Sequence, residues 1–180
     1  HWLASLAMEG YRGARRVLGW SFYSQGASEE QGASADQFFA WALGELGDHR
    51  PSTGDSFQKA ERLAKLVKQE RTLLVLDGLE PLQHPPGPNE GRLRDPALSA
   101  FLREMCADNP GLCVVTSRLR LTDLCGGRVE QIFLSQLDPA AGAELLADAK
   151  VVGSREELQQ ASIDFGGHAL ALALLGRYLV

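Results

Sequence analysis

The residues with the most chemical content lie together in Thr72–Glu80, TLLVLDGLE. An unbroken run of Leu and Val ends on Asp77, Gly78 follows, and Glu80 stands three positions after the Asp. An unbroken apolar run of this kind reads as a strand buried on both faces, as in a parallel sheet covered by helices. Open α/β sheets bind their ligands at the carboxyl ends of the strands. Asp77 is placed there to hold Mg²⁺, directly or through water, and Glu80 is a candidate base to orient an attacking water. The alternative for the same residues is a buried strand that closes in an Asp-Gly turn. A second group is Thr116-Ser117-Arg118, ending the apolar run Leu112–Thr116. Parallel strands bring their carboxyl ends to one edge, so Arg118 can face the same site and neutralise γ-phosphate charge. The plainer reading of Arg118 is a surface charge at the end of a strand.

The composition sets the frame for these groups. A chain of 180 residues, 44% apolar and 23% charged, is that of an ordinary globular protein of one domain, or one domain and the start of another. A net charge of −5 argues against a general binder of nucleic acid or membrane surfaces, and the cluster Arg12, Arg15 and Arg16 is small. Cys106, Cys113 and Cys125 form no CxxC pair, and the four histidines are scattered. A zinc site or a disulfide framework is therefore not expected, and a reducing cytoplasm is the natural setting. No apolar run approaches the ~20 residues of a membrane span. The first residues already read as helix (Trp2, Leu3, Leu6, Ala7) and the last as another apolar helix, so the chain reads as an internal piece of a larger protein.

The elements that must position the chemical groups can be read in order. Arg16–Gln25 reads as a strand ended by Gly26. Ser34 and Gln37 have the spacing of a capping box for a helix that carries Phe38, Trp41, Ala42 and Leu46 inward. Phe57, Ala60, Ala64 and Val67 form the stripe of the next helix. Glu80–Pro96 is a long loop with five of the eight prolines, and it directly follows the acidic strand end. Asp95-Pro96 and Asp138-Pro139 are N-cap and first-turn pairs. Leu98, Phe101, Leu102 and Met105 define one helical face. A further strand is expected over Gln131–Leu137, Ser154 and Glu157 open another helix, and Gly167 precedes the last. Strands alternate with helices to about residue 137 and only helices follow. The expected fold is a three-layer α/β core with a mostly parallel sheet over 1–137, then a helical subdomain from 138 to 180.

VLGWSFYSQG, LLVLDGLEPLQ, VVTSR and GGHALALALLG, in this order, resemble the nucleotide-binding region of STAND (NB-ARC-like) signalling ATPases of the bacterial multidomain type. The resemblance implies a P-loop NTPase-like core that binds ATP or ADP with Mg²⁺ and switches by nucleotide exchange and slow hydrolysis. Asp77 matches the Walker B Asp, and Glu80 the acidic position after it. Arg118 matches the sensor Arg, with Thr116 and Ser117 beside it. Gly167-His168-Ala169-Leu170-Ala171 occupies the place of the GLPLA motif, so His168 and Ala169 fall at the nucleotide. Ala169 stands where that motif has Pro, the residue that packs on the base. The implied partners are adenine nucleotide, effector and repeat sensor domains of the same protein, and further protomers on activation, with no nucleic acid or membrane.

The front of the chain departs from the family. A P-loop needs G-x-x-x-x-G-K-[ST], and Lys59, Lys65, Lys68 and Lys150 do not follow a Gly. By family order, the phosphate loop would lie just upstream of His1, and its strand would run between the sensor strand and Gln131–Leu137. These residues alone are therefore expected to leave a gap in the sheet, to be poorly stable or to rearrange, and to lack ATPase activity. The competing reading is a non-catalytic scaffold that keeps the fold for protein–protein interaction. A serine hydrolase is disfavoured because Gly19-Trp20-Ser21-Phe22-Tyr23 lacks the second Gly of a nucleophile elbow.

Overall fold

The structure, a computed structural model, describes residues 2–25, 34–124 and 128–180. The elements are α1 (Trp2–Met8), β1 (Arg16–Ser21), α2 (Asp36–Glu45), α3 (Ser56–Gln69), β2 (Thr72–Asp77), α4 (Pro96–Ala107), β3 (Leu112–Val115), α5 (Pro139–Asp148), α6 (Arg155–Asp164) and α7 (Ala169–Leu179). The chain divides into two units, His1–Val129 and Glu130–Val180. No helix among the described residues is long and apolar enough to cross a membrane.

The first unit is α/β. Its sheet has the order β1-β2-β3 with every pairing parallel, Ser21 opposite Asp77 and Leu76 opposite Val115. The unbroken apolar run of β2 is explained by burial on both faces. Leu73 and Val75 pack with Leu6 of α1 on one side, while Leu74 and Leu76 meet α2, α3 and α4 on the other. Alternate residues of a strand point to opposite faces, so a strand between two layers needs apolar residues at every position. The thick side of the core is aromatic. Phe38, Phe39 and Phe101 are almost fully buried with ring centroids 5.3–6.0 Å apart. Each contributes about 1.5–3 kcal/mol by burial alone.

Local chemistry sets most helix starts. Asp55 opens α3 with a full capping box: its carboxylate accepts from Gln58 N at 2.9 Å, and the Gln58 side chain accepts from Asp55 N at 3.2 Å. Asp95 caps α4 by accepting from Leu98 N, also at 2.9 Å. The expected box at Ser34 is not formed. Ser34 Oγ accepts from Asp36 N instead, and α2 begins at Asp36 with no side-chain cap. A distant group takes over: the second oxygen of Asp95 accepts from Ala35 N at 2.7 Å, fixing the entry to α2. Phe57, expected inside, is exposed. The buried stripe of α3 is Ala60, Leu63, Ala64 and Val67, together with Lys59, whose ammonium pairs with Asp36 at 2.8 Å.

Two strand expectations are corrected. β1 ends at Ser21, and Phe22–Gln25 form a short 3-10 turn; the expected stop at Gly26 lies outside the described residues. Gln131–Leu137 is not a strand and belongs to the second unit. Ile132, Phe133 and Leu134 are largely exposed there. An apolar run becomes a strand only when a ladder partner satisfies its backbone. Among the described residues the three strands are contiguous, and Gln131–Leu137, on the far side of the expected gap, does not join them.

The second unit is a helical trio, α5, α6 and α7, around Ala143, Leu146, Leu158 and Leu172. Asp138 caps α5, and Ser154 with Glu157 forms a complete capping box for α6. Gly167 has φ of 66°, and a Cβ there would fall 2.2 Å from the Leu137 carbonyl oxygen. Only glycine allows that approach, in which Leu137 N donates to Gly167 O at 2.9 Å.

Candidate functional site at the carboxyl edge of the sheet

β2 delivers Asp77 to the sheet edge between two hydroxyls from the strands on either side. Thr116 Oγ1 donates to Asp77 Oδ1 at 2.7 Å, and Ser21 Oγ lies 3.3 Å from Oδ2. Thr116 extends the ladder one residue past β3: its N–H donates to Leu76 O at 2.9 Å, and its carbonyl accepts from Leu79 N at 3.1 Å. Its hydroxyl also accepts from Gly78 N at 2.9 Å, so one side chain fixes both the acid and the turn behind it. Asp77 itself is exposed. An exposed carboxylate flanked by two hydroxyl oxygens is an all-oxygen donor set suited to a hard divalent cation.

The next turn is tied to the turn after β3. Glu80 Oε1 accepts from the Arg118 backbone N–H. The Tyr23 hydroxyl faces this carboxylate, which raises the phenol pKa above its usual value; partial burial and Asp77 act in the same sense, while the Arg118 charge opposes them. No well-formed hydrogen bond joins the solvent-screened Oε2 of Glu80 to any described residue. Ser117 Oγ donates to Gln83 Oε1 and accepts from Leu119 N at 3.1 Å. Gln83 is buried, and its Nε2 donates to Gly91 O at 2.9 Å, which ties the long loop to the same edge. Arg118 is exposed and in no ion pair among the described residues.

Five of the residues singled out in the sequence therefore meet in the first unit: Asp77, Glu80, Thr116, Ser117 and Arg118. His168 and Ala169 lie in the second unit, where His168 Nδ1 caps α7 by accepting from Ala171 N at 3.3 Å and Ala169 is its first helical residue. Sequence reasoning assigned no role to Ser21, Tyr23 or Gln83. Ser21 was legible only if the strand was stopped at its hydroxyl, directly opposite the acid in the ladder. Tyr23 and Gln83 carry no spacing signal, because their partners come from other turns.

Asp77 with the Ser21 and Thr116 hydroxyls gathers oxygen donors at one edge, with a single carboxylate among them. Among the described residues no group of three or more His, Cys, Asp and Glu could hold a metal by itself. Mg²⁺ does not require one, since it keeps several waters and is commonly bound through one or two carboxylates and substrate phosphates. The motif that supplies a cradle of backbone amides and a Lys for those phosphates, G-x-x-x-x-G-K-[ST], does not occur in these 180 residues. No family model, no curated protein and no solved structure matches the chain.

Proposed function

We propose that the carboxyl edge of this sheet is the Mg²⁺ and γ-phosphate side of an ATP/ADP switch, in a P-loop NTPase-like module of the STAND signalling class. The observation that carries the reading is the placement of Asp77: an exposed carboxylate at the end of a doubly buried parallel strand, held by Ser21 and Thr116 from both neighbouring strands. In this role Asp77 would hold the hydrated cation through a carboxylate oxygen, and the cation would supply neutralisation of phosphate charge. Thr116 fixes the Asp77 rotamer, and Ser117 with Gln83 holds the turn that presents Arg118. Arg118, exposed and in no ion pair among the described residues, would be free to meet an additional phosphate. Glu80 lies on the same edge and can orient water once its carboxylate leaves the Arg118 amide. In this reading, sensor and effector domains of the same protein read the switch.

The scaffold reading rests on one specific observation, the absence of a phosphate-binding Lys from these residues. Nucleotide binding separates the two readings. The chain extended upstream by about thirty residues, enough for a Gly-rich loop and its strand, should bind ATP and ADP in the presence of Mg²⁺. Arg118→Ala in that protein should lower the discrimination between ATP and ADP. An unchanged preference returns Arg118 to a surface charge, and no binding of either nucleotide favours the scaffold.

A further inference from the structure

The long loop after β2 is closed on itself and fastened to the segment after β3. His84 N donates to Arg92 O at 2.8 Å, Gly91 N donates to His84 O at 3.1 Å, and Gln83 bridges to Leu93 in antiparallel register. Gln83 is only 3% exposed and uses both ends of its amide. Its Oε1 accepts from Ser117 Oγ, while its Nε2 donates to Gly91 O at 2.9 Å, with the Leu119 and Arg120 carbonyl oxygens at 3.4 and 3.5 Å. Those three carbonyls can only accept, so the position calls for an amide NH₂, which a carboxylate of the same shape lacks. Gly91 has φ of 77°, and a Cβ there would fall 2.0 Å from the Arg120 carbonyl oxygen. Glycine therefore lets the loop lie directly on that backbone. Further along, Leu93 N donates to Asp123 Oδ2 at 2.9 Å.

We propose that Gln83 is a positioning residue for Arg118, and that the loop 84–92 and the turn 117–120 form one body clasped by its amide. The Arg118 side chain is in no ion pair among the described residues, so its place is given by its backbone. Glu80 holds the Arg118 amide, and Gln83 holds the residues on either side through Ser117, Leu119 and Arg120. The functional meaning rests on the nucleotide-switch reading above: displacing the loop would change how Arg118 meets an additional phosphate, so the loop tunes the discrimination of ATP from ADP. The clasp itself is a property of the ligand-free chain and is tested without nucleotide.

Two substitutions perturb the loop without touching Arg118. Gln83→Glu keeps the acceptor for Ser117 but turns a carboxylate oxygen toward the three carbonyls, and Gly91→Ala drives the loop off the Arg120 carbonyl. The readout is residue-resolved amide hydrogen exchange by NMR on the 180-residue chain. Each variant should lower protection of the Leu93, Arg118 and Leu119 amides together by roughly fivefold, the scale of one neutral hydrogen bond, with the amides of β2 unchanged. A loss at Leu93 with Arg118 and Leu119 unchanged overturns the proposal, since loop and turn are then independent. So does a loss spread evenly over β2, which would assign the effect to general packing, and so does no change at any of the three. In the upstream-extended chain, Gly91→Ala should lower the ATP/ADP discrimination in the same direction as Arg118→Ala, whereas a merely structural contact would lower stability and leave that ratio as it was. An unchanged ratio in a chain that binds both nucleotides overturns the positioning role. Failure of the nucleotide reading would appear separately, as absent nucleotide binding by the wild-type extended chain, and the exchange result would still decide whether the clasp exists.

Discussion

Thr116 shows how much of the site depends on single atoms. Its hydroxyl donates to Asp77 and accepts from Gly78 N, so Thr116→Val removes two hydrogen bonds while keeping the β-branched shape. The expected cost is about 1–2 kcal/mol in denaturant unfolding, within the range for partly exposed bonds. Gly78→Ala should cost about 1–3 kcal/mol, because it combines a positive φ with a clash against the Tyr23 ring. Removing the ring with Tyr23→Ala relieves the clash, so the double variant should be less destabilised than the sum of the two. At this scale the sequence was informative where chemistry and strand geometry coincided. Asp77 and Arg118 could be read because an acid and an Arg each close an apolar run. Tyr23 and Gln83 could not be read, since their partners at the site, Gly78 for Tyr23 and Ser117 for Gln83, lie 34 or more residues away in the chain.

The elements that folded as expected are those with local start signals. Asp95-Pro96, Asp138-Pro139 and Ser154 with Glu157 each open a helix through contacts inside its first turn. Ser34 failed as a cap because α2 is held instead by Asp95, sixty residues away in sequence. Asp95→Ala should therefore damage two helices at once, by about 2–3 kcal/mol, more than an ordinary cap at ~1 kcal/mol. Amide exchange should rise at both Ala35 and Leu98. The Asp36–Lys59 pair joins α2 to α3, and hydrogen bonding to Lys59, aided by Ser56, lowers the Asp36 pKa against the opposing effect of burial. A carboxyl whose folded pKa is lowered adds stability above its unfolded value, near pH 4, and loses that contribution as pH falls through the folded value. Asp36→Asn should accordingly flatten the acid side of the stability–pH profile. Gln131–Leu137 illustrates the converse limit: its composition suits a strand, but strand formation is a property of pairs.

At the scale of the whole molecule, the described residues form three apolar clusters, an aromatic one and a small one on the two faces of the sheet and a third among the last three helices. The α/β class was legible from the alternation of apolar runs and amphipathic stripes, and the parallel order from the doubly buried β2. Leu146, fully buried at the centre of the helical unit, should cost about 2–5 kcal/mol on truncation to Ala, read out by exchange across α5, α6 and α7. A unit this small has little stability to spare for such a loss. The central claim concerns the other unit, where we propose that Asp77 holds the cation of a bound nucleotide. Its most direct test is a calorimetric titration of ATP with and without Mg²⁺ into the upstream-extended chain, wild type against Asp77→Asn. The account predicts Mg²⁺-dependent ATP binding that falls at least roughly tenfold in Asp77→Asn, with ADP binding affected less, as expected for loss of a charged cation ligand. Equal affinity in the two proteins, or equal loss for ATP and ADP, would contradict it.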